Sequence, residues 1–104
     1  MDRKGVLMVM FDLPVAEKTH QKAYRKFKNH LLKNGYRIIQ KSLYVKLLHN
    51  ISNSQTEILK VKFAAPSDGN IQLLPLSLTN FKKMTSVCGV PFDMEFFSDD
   101  LICL

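Results

Sequence analysis

Asp12 is the sharpest chemical feature of the chain. It closes a near-unbroken apolar run, Val6-Leu7-Met8-Val9-Met10-Phe11, and Leu13-Pro14 follows at once. A carboxylate at a strand end can hold Mg²⁺ while water and phosphate oxygens take the metal's other positions. The same residue type also serves an Asx turn, bonding the backbone ahead of a proline-started helix. Two-metal phosphodiester hydrolysis usually gathers several carboxylates, and Glu17 is the only other acid nearby. One chain alone therefore favours the turn, whereas two copies of Asp12 meeting across a twofold axis would favour the metal. Just downstream stand Lys18, Lys22, Arg25, Lys26 and Lys33, with Arg37 beyond them. Such a stripe is either a phosphate track or an ordinary solvated helix face. Only Glu17 dilutes it, and Arg37, Lys41 and Lys46 continue the positive charge, which favours phosphate. A duplex held this way would be bound without sequence readout and with steep salt dependence.

The remaining candidates carry less. His20, His30 and His49 share no metal-ligand spacing, and His20 falls on an apolar face as a packed histidine would. Tyr24, Tyr36 and Tyr44 could stack on bases or pack the core. Residues 41–47 resemble an RNA-recognition strand but lack its glycine and paired aromatics. Cys88 and Cys103 have neither CxxC spacing nor a nearby histidine. That disfavours zinc and a disulfide framework, and suggests two buried thiols in a reducing cytoplasm. No Gly-rich phosphate loop or nucleophile–base pairing is visible, which disfavours a small-ligand regulator.

Charge is uneven along the chain. Residues 1–50 carry eleven Lys/Arg against three Asp/Glu, and residues 51–104 carry four against six, giving +8 and −2 within a net +6. A basic half with an acidic end suggests a polyanion-binding surface and a segment reserved for a protein partner. The length, 104 residues, permits a single domain with a modest core. The N-terminal apolar run is too short for a signal peptide and lacks a cleavage site. No stretch approaches the roughly 18 apolar residues of a membrane span. A cytoplasmic protein is expected.

The elements that must position these residues follow from hydrophobic periodicity. Residues 4–12 form a first strand that is apolar on both alternating faces. Its second face therefore needs a cover, and a partner subunit is the economical one. Residues 15–34 form a helix with Ala16, His20, Ala23, Phe27 and Leu31 inward and the cations outward, stopped by Gly35. Residues 36–40 and 42–48 are two strands joined by a tight turn. Ser54 to Glu57 matches a capping box, opening a helix that turns Ile58, Val61 and Ala65 inward before Pro66. Residues 71–77 form a fourth strand, which Pro75 confines to an edge or a bulge. Thr79 caps a short helix bearing Phe81, Met84 and Cys88, closed by Gly89, and Phe92, Met94 and Phe96 alternate as a fifth strand. The order is βαββαβ with an additional C-terminal helix and strand, an α+β, ferredoxin-like arrangement in one domain, residues 1–104.

Four segments in this order resemble one family. Met10-Phe11-Asp12-Leu13-Pro14, Ala23-Tyr24-Arg25-Lys26-Phe27-Lys28, Gln40-Lys41-Ser42-Leu43-Tyr44-Val45-Lys46 and Gly69-Asn70-Ile71-Gln72-Leu73-Leu74 are similar to the "Cas two" family. These are the small CRISPR-associated adaptation proteins of antiviral defence, here in the variant of type II systems. The resemblance implies a homodimer, with residues about 90–104 docking as a strand or tail on the partner subunit. It implies a complex in which the dimer bridges two dimers of the CRISPR integrase during spacer acquisition, while duplex DNA lies across the basic surface. It also makes Asp12 the strand-end aspartate that binds Mg²⁺ at the dimer interface, and matches Arg25 to a helix arginine of the family motif. The alternative the family carries is a stand-alone metal-dependent endonuclease, cutting RNA or DNA with Asp12 from both subunits.

Overall fold

The first strand, β1, spans Gly5–Asp12 and lies at the centre of the sheet. A strand apolar on both faces belongs where both faces can be covered. The structure, a computed structural model, describes residues 3–89. The fifth strand expected at residues 92–96, the docking tail and Cys103 lie outside the described residues.

β1 leads through a bend to helix α1, Lys18–Lys33. The helix begins three residues later than the apolar pattern implies. Glu17 takes the extended N-cap conformation, with φ −106° and ψ 157°. The Gln21 side-chain amide donates to the Val15 carbonyl at 2.9 Å and ties down the entry segment. Ala16 is consequently exposed ahead of the helix instead of packing within it. At the far end Gly35 adopts φ +90°. Tyr36 N–H then reaches the Leu31 carbonyl at 3.0 Å and Gly35 N–H the Leu32 carbonyl at 3.4 Å. This double closure is what a glycine at that position permits, and it delivers Tyr36 into the interior.

Strands β2 (Arg37–Gln40) and β3 (Leu43–Leu48) form the hairpin, with a register shift between Ile38 and Gln40. A single 3-10 turn at Ile51–Asn53 precedes helix α2, Ser54–Ala64. The capping box does not form. Asn53 is the N-cap, Ser54 is the first helical residue, and no side chain closes the end. Asn50 caps the preceding turn instead, accepting from Ser52 N–H at 2.9 Å. Strand β4, Asn70–Ser77, pairs antiparallel with β1 along its whole length. The sheet order is β2-β3-β1-β4, which leaves Pro75 on an outer strand of the described sheet, as its missing N–H requires. Helix α3 covers only Leu78–Phe81. Its cap is Ser77, whose hydroxyl accepts from Asn80 N–H at 3.1 Å, and not Thr79. Met84 and Cys88 therefore fall beyond the helix, and the Cys88 thiol is exposed rather than buried.

Antiparallel pairing in this order, with α1 and α2 on one face, is the ferredoxin-like α+β fold. Leu7, Val9 and Phe11 of β1 pack beneath the helices with Phe27, Leu31, Tyr44 and Val61. Phe11 stacks on Tyr44 with ring centres 5.4 Å apart, and meets Phe27 edge-on at 5.3 Å. On the opposite face α3 covers Val6, Val45 and Leu47 with Leu78 and Phe81. Among the described residues that cover is short. Met8, Met10 and Leu43 are only partly buried, and Leu74, which pairs with Met8, is 47% exposed.

Candidate nucleic-acid interface

Asp12 ends β1 on the same side as Val6, Met8 and Met10, because side chains alternate along a strand. It therefore stands on the sheet face turned away from α1 and α2. Its backbone pairs with Asn70, at the start of β4. The turn before β4 crosses so closely that a Cβ on Gly69 would lie 2.6 Å from Leu13 Cδ2 and 2.9 Å from the Asp12 carbonyl oxygen. Gly69 also holds φ +101°, a region other residues rarely adopt. The Asp12 carboxylate is exposed and makes no hydrogen bond or ion pair among the described residues. The Asx turn is not formed, so the carboxylate is free for another role.

Lys18, Lys22, Arg25, Lys26 and Lys33 are all exposed on α1. At about 100° per residue they share roughly 100° of arc, opposite Phe27 and Leu31. None of the five side chains makes an ion pair or hydrogen bond among the described residues. Five unneutralised cations on one helix face form a concentrated positive surface.

Arg37 and Lys46 do not continue that surface. Arg37 pairs with Val45, whose side chain belongs to the cluster under α3, so Arg37 projects on the opposite side of the sheet from α1. Lys46 is turned toward the helices and committed to Glu57, with Nζ 3.0 Å from Oε1. Lys60 approaches the other carboxylate oxygen at 3.4 Å. Tyr36 donates to Glu57 Oε1 at 3.4 Å, and Lys46 Nζ lies 5.6 Å from the Tyr36 ring centre. Burial alone would raise the Glu57 pKa. The hydrogen bond and charge of Lys46, helped by Lys60, overcome this and hold the carboxyl below its usual value. Burial, reinforced by the Glu57 charge, pushes the Tyr36 phenol up. This polar knot locks α2 to the hairpin. The spacing of Glu57 from Ser54 predicts a cap, and nothing local in the sequence signals the partner strand.

The tyrosines pack the core. Tyr44 is fully buried, Tyr36 nearly so, and Tyr24 meets Phe11 edge-on at 5.9 Å. His20 is also packed, with Nε2 3.6 Å from Asp68 Oδ2 beside Leu13 and Pro66.

The family described as CRISPR associated protein Cas2 matches residues 6–84, from β1 through α3. The chain belongs to this family. Among curated relatives, the CRISPR-associated endoribonuclease Cas2 of Acidovorax ebreus is 33% identical over 89 residues, covering 86% of this chain and 87% of that one. The protein of the same name from Streptococcus mutans serotype c (strain NN2025) is 39% identical over 83 residues, 80% of this chain and 78% of its own. A third, from Campylobacter jejuni, is 35% identical over 83 residues, and the match spans 58% of that longer protein.

Asp12 and all the candidate cations fall within the span matched to the Cas2 family. Among the described residues, no three His, Cys, Asp or Glu side chains converge as a metal site. One copy thus offers a single carboxylate to Mg²⁺. Such an ion keeps several waters and is held through one or two carboxylates, so Asp12 supplies the minimum and a second copy of it would supply the usual pair. No helix among the described residues is long and apolar enough to cross a membrane.

Proposed function

We propose that this Cas2-family chain is a CRISPR adaptation protein that works in spacer acquisition. In this reading it forms a homodimer, binds duplex DNA on a basic surface and bridges dimers of the CRISPR integrase. The observation that carries the reading is the arc of Lys18, Lys22, Arg25, Lys26 and Lys33, all exposed and unpaired among the described residues. Contacts of this kind bind phosphate without reading bases, which suits a protein that must accept any sequence. The half-covered sheet face supports the dimer. Met8, Met10, Leu43 and Leu74 would lose their remaining exposure against a second copy. The test is Lys22→Gln with Arg25→Gln. Duplex binding should weaken while sedimentation still reports the dimer, and unchanged binding overturns the reading.

A second reading, metal-dependent cleavage of RNA or DNA, is favoured by one specific observation: Asp12 stands free at the rim of that same sheet face. Packing the face against its copy would bring two Asp12 carboxylates toward one another, and together they would hold Mg²⁺. Bound there, Mg²⁺ would activate water and neutralise charge on the scissile phosphate. The relatives' name, endoribonuclease, agrees with this chemistry. Asp12→Asn should abolish Mg²⁺-dependent cleavage and keep duplex binding. Cleavage that persists in purified Asp12→Asn protein refutes the assignment, and spacer acquisition that survives it favours the bridging role.

A further inference from the structure

α2 carries large apolar side chains on both sides. Ile58 and Val61 face the core, but Leu59 is 54% exposed and Phe63, one turn later, is 91% exposed. A lone surface hydrophobe needs no explanation. Phe63, however, borders a groove of about 590 Å³ between α1 and the end of α2. Ala23, Ala64 and Pro66 contribute its small apolar walls, and Lys26, His30 and Lys60 add polar groups. No carboxylate lines it.

We propose that this groove seats an unpaired nucleobase from a single-stranded end, stacked on Phe63, with Lys26 and Lys60 on the flanking phosphates. The inference rests on the nucleic-acid reading of α1 and extends it, because Lys26 belongs both to the cationic arc and to the groove. An aromatic beside a cationic track is how proteins hold single strands, since every base has a face to stack and the backbone supplies the charge. The Lys60 side chain is 62% exposed, and its ion pair with Glu57, at 3.4 Å, is the longer of that carboxylate's two, so a phosphate could compete for it while Lys46 stays at 3.0 Å. A paired base has both faces covered within the duplex, so the groove selects overhangs and frayed ends.

The experiment compares fluorescence anisotropy of a blunt DNA duplex and of the same duplex carrying a short run of unpaired thymidines at each 3′ end. Wild-type protein should prefer the overhang. Phe63→Ala should lower that affinity about fivefold or more, leave blunt binding unchanged, and be rescued by Phe63→Tyr. Phe63 is exposed, so these variants should melt as the wild type does. Equal wild-type affinity for the two duplexes, or an equal loss on both, overturns the groove and leaves the cationic arc standing. Overhang binding without blunt binding does the reverse, and failure on both probes removes both. If Phe63→Ala instead loses integrase co-purification with overhang binding intact, the groove is a protein-docking site and the nucleobase assignment is wrong.

Discussion

The cationic arc makes a quantitative prediction through its counterions. Each phosphate neutralised on B-DNA contributes about −0.9 to the slope of log K against log salt. One protomer presents five exposed cations on α1 that are unpaired among the described residues, Lys18, Lys22, Arg25, Lys26 and Lys33. A duplex lying along one arc meets about five of these charges, for a slope near −4.5. Lys22→Gln with Arg25→Gln removes two of them and should bring the slope to about −2.7. Between 50 and 200 mM salt the wild type then loses about 2.7 decades of affinity and the variant about 1.6. Fluorescence anisotropy over a salt series measures both slopes, with sedimentation confirming the dimer. Lys22→Arg should keep the wild-type slope, because charge and not side-chain shape sets it. A double variant with an unchanged slope would refute the argument, and a wild-type slope near zero would remove the phosphate track altogether.

The polar knot predicts a pH dependence. Glu57 has its folded-state pKa held below the usual value of about 4.5, so its contribution is present above that pH and is lost as pH falls through the folded value. Urea midpoints should therefore drop below about pH 4.5, and Glu57→Gln should cost about 1–2 kcal/mol at neutral pH while flattening that drop. A variant that keeps the full acid-side loss would place its origin elsewhere. Two glycines give an internally controlled pair. Gly35 and Gly69 both hold positive φ, but a Cβ at Gly35 meets nothing closer than Lys46 Cε at 3.6 Å, whereas at Gly69 it meets Leu13 and the Asp12 carbonyl. Gly35→Ala should cost about 1 kcal/mol and Gly69→Ala about 2–3 kcal/mol by urea unfolding, and equal costs would dismiss the close crossing.

Local pattern made much of this molecule legible in the sequence. β1, the inward Phe27 and Leu31, the stop at Gly35 and the edge position of Pro75 follow from periodicity and from the stereochemistry of single residues. The positive arc of α1 belongs with them, because a helix's own repeat decides which residues share a face. The misses concern which of several plausible local partners is chosen. Ser77 and Thr79 are both good caps, and Ser77 prevails because β4 delivers it to the start of α3. Ser54 and Glu57 have capping-box spacing, yet Glu57 turns inward because Lys46 and Tyr36 wait there.

The sequence by itself determined the elements, their order and one concentrated row of charge, since each depends on residues a few positions apart. Tertiary structure alone decided which charges remain available. Lys46 is consumed by a carboxylate eleven residues away, and the parity of the pleat turns Arg37 to the far side of the sheet. The same parity places Asp12 on the face opposite the cations of α1. Strand alternation is local, but which face meets the helices is fixed only when the strands pair, and that pairing separates the carboxylate from the positive arc.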